Sequence, residues 1–247
     1  HTPAGGVLRV NGAAPAGGVV TAQTGGSSTL HVAQLGDGAT YDVSYVYTDG
    51  TTGCAFADTV TFYVYARTAV TLAASGVQGQ WFCPMAAPAA FSVAPAGGVW
   101  TGDTEGLVAG AVAGEFTVEF ARYASSGAKT LTYTYTDVNG CEESVELAFG
   151  VHAFTAPTLG PAAVDGVSVC PSAAPLALTH TPAGGTFVTA QQAVSAVNDT
   201  WSALSPAQLP SGATTVTYRY EDGNGCAATA SVTVHVYGVQ QAFVQGV

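Results

Sequence analysis

One segment type recurs three times along the chain and limits what it can fold into. Its copies are Tyr45-Val-Tyr-Thr-Asp-Gly-Thr-Thr-Gly-Cys54, Tyr133-Thr-Tyr-Thr-Asp-Val-Asn-Gly-Cys141 and Tyr218-Arg-Tyr-Glu-Asp-Gly-Asn-Gly-Cys226, whose cysteines stand 87 and 85 residues apart. Pro-Ala-Gly-Gly begins at Pro3, Pro95 and Pro182, each time just ahead of Val7-Leu8, Val99-Trp100 or Thr186-Phe187. Cys83-Pro-Met-Ala-Ala-Pro88 matches Cys170-Pro-Ser-Ala-Ala-Pro175, and this landmark and the later two Pro-Ala-Gly-Gly copies are each 87 residues apart. Independent landmarks sharing one spacing require a tandem repeat of roughly 86 residues.

Each unit reads as all-β. Thr130-Leu-Thr-Tyr-Thr-Tyr-Thr136 alternates large apolar with small polar residues, as do Thr59-Val-Thr-Phe-Tyr-Val-Tyr65 and Ser231-Val-Thr-Val-His-Val-Tyr237. That is the period-2 mark of half-buried strands. The Asp-Gly and Asn-Gly dipeptides between them supply the positive φ angles of tight hairpins. No window offers an amphipathic helix. Several short strands with regular turn signals in so small a unit fit a β-sandwich.

Composition narrows the function classes. Charged residues make up 9% of the chain and hydrophobic ones 48%, so the surface must be finished with Thr, Ser, Gln, Gly and backbone. The net charge is −11, and the basic residues Arg9, Arg67, Arg122, Lys129 and Arg219 are scattered singly. Nucleic-acid binding needs clustered cations and is not expected. Nor is membrane insertion, because Gly, Pro, Thr and Gln interrupt every stretch before the ~18 residues a span requires.

The order Cys83-Pro-x-x-x-Pro88, Pro95-Ala-Gly-Gly-x-Trp-x-Gly102 and Tyr133-x-Tyr-x-Asp-x-x-Gly-Cys141 resembles the Ig-like and PKD-like repeats of large extracellular surface proteins of Bacteroidota, gliding-motility adhesins among them. The resemblance covers nearly the whole chain and is best in the second and third units. The first has an altered loop, Ala14-Pro-Ala-Gly-Gly18, and Leu8 where the second has Trp100. It implies tandem immunoglobulin-like β-sandwich domains in an extended array, at the cell surface or secreted. The expected division is 1–66, an incomplete repeat lacking its early strands; 67–153 and 154–238, two further repeats; and 239–247, the start of another repeat or a donor-type tail.

The repeat also orders the five cysteines. Cys83 is expected to bond Cys141 inside the second unit, and Cys170 to bond Cys226 inside the third. Each bridge would close a loop of under 60 residues and stabilise its unit by about 4 kcal/mol in the chain-entropy model. Two such bridges imply an oxidising compartment. A metal site would need Cys or His at short ligand spacing, which is missing. Cys54 is left without a partner, since its counterpart would stand 12 residues before Pro3 and so ahead of His1. In the preferred reading the chain is a window on a longer array. In the other, a neighbouring molecule's apolar tail completes the open first unit, as in donor-strand polymers.

No catalytic constellation is present. Gly-x-Ser-x-Gly, His-Glu-x-x-His and a phosphate-cradling Gly-rich loop before Lys are all missing, so neither an enzyme nor a cofactor is expected. Asp49, Asp137 and Asp222 recur in every unit. The remaining oxygen ligands of a calcium site do not, and the aspartates read as carboxylates bonding backbone N–H groups within the turn. The paired tyrosines read as core, or as hydrogen-bonded at a sandwich edge. Trp81 and Trp201 have no counterparts in the other units and are the candidates for contact with a ligand or neighbouring subunit. Asn198-Asp-Thr200 is an N-glycosylation sequon, and Asp58-Thr59-Val60 resembles a Bacteroidota O-glycosylation site, which nominates Thr59.

The expected function is a structural segment of an extracellular filament or adhesive surface fibre built from disulfide-stapled repeats. Its partners would be copies of itself or adjoining repeats, end to end. The alternative is a carbohydrate- or cell-surface-binding accessory module, with surface glycans as partners.

Overall fold

A computed structural model describes residues 4–22, 26–189 and 193–238 of the chain. The tail at 239–247, expected to begin a further repeat or act as a donor strand, lies outside them. Within the described residues, alternating side chains and glycine turns resolve into 21 strands.

The first unit holds β1 (Val7–Val10), β2 (Val20–Ala22), β3 (Ser28–Leu30), β4 (Ala39–Thr48) and β5 (Ala55–Val64). The second holds β6 (Thr71–Ala73), β7 (Trp81–Phe82), β8 (Ala89–Ala94), β9 (Val99–Gly102), β10 (Leu107–Ala109), β11 (Glu115–Val118), β12 (Gly127–Thr136) and β13 (Glu142–Val151). The third holds β14 (Thr158–Gly160), β15 (Val167–Val169), β16 (Leu176–Thr181), β17 (Thr186–Val188), β18 (Val194–Ala196), β19 (Trp201–Leu204), β20 (Gly212–Glu221) and β21 (Ala227–Val236).

The second unit pairs its strands as β10-β11-β8-β6 and β7-β13-β12-β9, and the third as β18-β19-β16-β14 and β15-β21-β20-β17. Among the described residues only β7 with β13 and β15 with β21 run parallel. Two sheets in this order are the immunoglobulin arrangement, and the chain is a tandem of Ig-like sandwiches. In the first unit, β1-β4-β5 form one sheet and β2-β3 a two-stranded ribbon. Among the described residues nothing there corresponds to β6, β7 or β8.

The alternation places one apolar side of each strand between the sheets. In the second unit Leu131, Leu147, Phe149 and Val151 pack with Phe91 and Phe120; in the third, Val216, Val232, Val234 and Val236 pack with Leu178 and Leu204. Each such side chain stabilises its sandwich by about 1.5–3 kcal/mol. Trp100 stands edge-on to Phe91 and Phe116 in the core, and Phe187 fills the matching place in the third unit.

Two parts of the repeat signature have direct structural causes. The first is the hairpin glycine: Gly140 and Gly225 have φ of 82° and 78°, a conformation other residues adopt at a cost. The second links Pro-Ala-Gly-Gly to the first tyrosine of Tyr-x-Tyr. Tyr133 donates its hydroxyl to the Pro95 carbonyl at 2.7 Å and accepts the Gly98 N–H at 2.7 Å. Tyr218 does the same with Pro182 at 2.5 Å and Gly185 at 2.8 Å, and Tyr45 accepts the Gly6 N–H at 2.6 Å. A methyl group on Gly6, Gly98 or Gly185 would overlap the tyrosine ring, so the motif ends in glycine to admit the hydroxyl.

The cysteines depart from the expected pairing. Cys83 bonds Cys226 of the next unit, while Cys141 and Cys170 keep free thiols, as does Cys54. Strand register explains why bridges within a unit do not form. Cys141 directly precedes β13, whereas Phe82, the neighbour of Cys83, pairs with Val151 at the far end of that strand. Ten residues of strand at about 3.3 Å each put the two cysteines about 33 Å apart, where a disulfide needs Cα atoms within about 7 Å. In the third unit Val169, beside Cys170, pairs with Val236 at the opposite end of β21 from Cys226. Both units therefore carry their two cysteines at opposite ends.

Candidate functional site: the junctions between repeats

Each unit has a leading hairpin ending in cysteine. Between β12 and β13, the Asp137 carboxylate accepts the N–H groups of Asn139 at 2.8 Å and Cys141 at 3.0 Å, and the Asp137 N–H donates to the Cys141 carbonyl at 2.9 Å. Asp222 repeats this with Asn224 at 2.8 Å and Cys226 at 2.9 Å, again closed by Asp222 N–H to the Cys226 carbonyl at 2.9 Å. Asp49 caps a turn one residue longer, through Thr51 at 2.9 Å and Thr52 at 2.7 Å, and its N–H donates to the Cys54 carbonyl at 2.9 Å. The Thr52 N–H and hydroxyl, with the Thr51 N–H, lower the pKa of Asp49. Desolvation raises that of Asp222, but hydrogen bonds from Cys226 and Asn224 outweigh it and the net shift is downward. The three carboxylates are thus engaged by backbone. Among the described residues no group of three His, Cys, Asp or Glu side chains is placed to hold a metal ion.

The opposite, trailing end of a sandwich carries the Cys-Pro segment, and again two units agree. The His152 N–H donates to the Phe82 carbonyl at 2.8 Å, and the Tyr237 N–H to the Val169 carbonyl at 2.9 Å. The Ala86 N–H donates to the Cys83 carbonyl at 2.9 Å, and the Ala173 N–H to the Cys170 carbonyl at 3.0 Å. Cys83 and Cys170 are therefore held by the same backbone arrangement.

Trailing end meets leading hairpin at the two junctions. At the second, Cys83 and Cys226 are bonded with their Cα atoms 5.4 Å apart, and Phe154 lies against Tyr220 with ring centroids 6.1 Å apart. The first junction is polar. Arg67 pairs with Asp37 at 2.9 Å and with Glu143 at 3.3 Å, and the Thr68 hydroxyl donates to Asp137 at 3.4 Å. Cys141 opens there onto a cleft of about 340 Å³ whose other walls include Asp37, Val64, Tyr65 and Arg67.

The tryptophans singled out by the repeat comparison are not brought together. Trp81 in β7 is 53% exposed; it packs against His152 with centroids 5.3 Å apart, over a space that Gly150 leaves open. Trp201 is half-buried in β19 of the next unit, opposite Thr179. Asn198 caps the turn between β18 and β19, its side-chain oxygen accepting the N–H groups of Thr200 and Trp201, both at 2.9 Å. Thr59 is exposed on β5.

Two buried polar residues were not visible in the repeat pattern. His180 lies in the core against Phe187 and Tyr218, with Nε2 3.2 Å from the Ser202 hydroxyl and Nδ1 unpartnered. Burial pushes its pKa down, against the pull of Asp199. Its alignment with the core residue Val93 was the signal available. Lys129, the chain's single lysine, is buried across the Tyr123 ring and donates to the Ser125 hydroxyl at 2.9 Å.

No protein-family model and no curated protein matches the chain. Solved structures to which the chain is similar include a calcium-stabilised adhesin that helps an Antarctic bacterium bind ice, at 18% identity and a TM-score of 0.28 over 81% of this chain and 57% of that one. Others are the fibronectin(III)-like modules of Clostridium thermocellum CbhA (14% identity, TM-score 0.27, 72% of this chain and 100% of that one) and Drosophila N-cadherin EC1-4 (12%, 0.29, 96% and 68%). The chain thus spans little more than half of the adhesin's length. Similarity of this degree adds nothing to the architecture already established by strand order.

Proposed function

We propose that the chain is a structural segment of an extracellular filament or adhesive surface fibre. One observation carries this reading: the disulfide joins the trailing end of one repeat to the leading hairpin of the next. A bridge within a sandwich would stabilise that sandwich alone. A bridge across a junction restricts hinging between units, where ordinary inter-domain contacts leave relative motion free. That property serves a fibre, in which each repeat touches chiefly its neighbours. A disulfide of this kind also belongs to an oxidising, extracellular compartment. Electron micrographs of native material test the proposal. Filaments with an axial period of a few sandwich lengths are expected, and monodisperse single chains would overturn it.

The exposed Trp81 favours a second reading, in which the second unit presents an aromatic surface to glycans. Under that reading Trp81→Ala abolishes retention on a glycan array. Unchanged retention removes it.

A further inference from the structure

We propose that Cys170 is a coupling cysteine: it bonds the leading-hairpin cysteine of a further repeat, which in a second copy of this chain is Cys54. The inference deepens the fibre reading above and rests on it for its biological setting. Its structural ground is the bonded junction already present within the chain.

Position decides which cysteines can meet. Those at the trailing end, Cys83 and Cys170, follow the short strand that runs parallel to the last strand of their unit. Those at the leading end, Cys54, Cys141 and Cys226, close an Asp-capped hairpin. The ends of one sandwich lie too far apart to join, so a trailing cysteine cannot bond the leading cysteine of its own unit and must find a partner in another. Cys83–Cys226 is that pairing. Cys170 is exposed, and the backbone hydrogen bonds that hold Cys83 hold it too. It is the trailing half of a second such bond.

Of the leading cysteines in a second copy, Cys226 is already bonded. Cys141 sits inside its own chain's first junction, beside Tyr65 and Arg67, where an entire incoming sandwich has no approach. Cys54 is a free thiol, exposed at the tip of the first unit's hairpin. Joining Cys170 to Cys54 repeats the trailing-to-leading geometry between copies and extends them end to end.

The chemistry needs an oxidant, for which a small-molecule disulfide such as oxidised glutathione suffices. The Cys170 thiolate attacks it, forming a mixed disulfide and releasing one glutathione thiolate. The Cys54 thiolate of the second copy then attacks the Cys170 sulfur and expels the other. Two protein thiols are oxidised, one glutathione disulfide is reduced, and the two thiol protons end on the two glutathione molecules.

The test oxidises the full chain with oxidised glutathione, then applies non-reducing electrophoresis and peptide mapping. A ladder of covalent oligomers joined by Cys170–Cys54 is expected, with Cys83–Cys226 inside each copy. Cys170→Ser and Cys54→Ser should each remain monomeric alone and yield one covalent dimer when mixed; Cys141→Ser should keep the ladder. All three positions lie outside the cores, and circular dichroism checks that each variant folds. Oligomers formed by Cys170→Ser alone, bonds between two leading cysteines, bridges within a unit, or no ladder at all would each overturn the proposal. Micrographs of the same samples separate the two readings. Filaments lacking the cross-link overturn the coupling and leave the fibre standing; a clean ladder from a protein whose native material shows only single chains does the reverse.

Discussion

Val60, Leu147 and Val232 hold the same place in the last strand of three successive units, yet they are 65%, 0% and 3% exposed. All three strands alternate apolar and polar residues, so the difference lies in what faces them. In the second and third units β6 with β8, and β14 with β16, complete a sheet over the apolar side. In the first unit the described residues oppose it with only the β2-β3 ribbon. An alternating pattern thus marks which side of a strand is apolar without determining whether anything covers it. The contrast extends, more weakly, to Phe62, which is half-buried, while its counterpart Phe149 in the second unit is 4% exposed.

Truncating the shared position should separate the units most. Leu147→Ala is expected to lower the stability of the second sandwich by about 2–5 kcal/mol, the loss of a packed side chain plus its cavity. Val60→Ala should stay within about 0.5 kcal/mol, as surface changes do. Chemical denaturation measures both. Equal losses would mean that the first unit's apolar face is covered in solution.

The tyrosine bridge should give the next largest contrast. Tyr133→Phe removes one hydrogen bond to Pro95 and strands the Gly98 N–H in a part-buried site, at a cost of about 1–3 kcal/mol. Tyr45→Phe, in the more open first unit, should cost less, because water can reach the Gly6 N–H. Thermal unfolding of the two variants compares them directly.

A pH effect should distinguish the third unit from the second. His180 is buried and its pKa lies below its ordinary value, so the unfolded chain takes up a proton on this residue before the folded one does. The third unit should be fully stable above the unfolded value of about 6.5 and lose stability as pH falls through the lower folded value. The second unit carries Val93 at this place and should lack the step. Unfolding midpoints of the wild type and His180→Val between neutral and mildly acid pH read the difference; an identical pH response would show that the imidazole is solvated.

The smallest effect on stability is expected from reducing Cys83–Cys226. A bridge inside either sandwich would have contributed about 4 kcal/mol; this bond instead joins two units, each of which keeps its own core cluster when it is cut. Unfolding midpoints should hardly move, while small-angle scattering should detect a broader spread of angles at the second junction. A large fall in either midpoint would place the bond's stabilising role within a unit.

The Tyr-x-Tyr-x-Asp-x-x-Gly-Cys and Pro-Ala-Gly-Gly motifs made the repeat, its strands and its hairpins legible, because each depends on residues close in sequence or on one tyrosine reaching one loop. The carboxylates of Asp49, Asp137 and Asp222 are engaged within their own turns for the same reason. His180 and Lys129 were not legible as core residues, since burial depends on the partner sheet and not on the strand's own pattern. Nor was it visible that Trp81 is exposed while Trp201 is half-buried.

The cysteines divide what is local from what is tertiary most clearly. Their number, their positions in the repeat and the turns that present them follow from sequence alone, because hairpin chemistry acts over a few residues. Which cysteine meets which was decided only in three dimensions. The parallel pairing of β7 with β13 carries Cys83 past the far end of the strand that Cys141 begins. Ten residues of extended chain at about 3.3 Å each exceed the reach of any disulfide, and so Cys83 bonds the next repeat instead of its own.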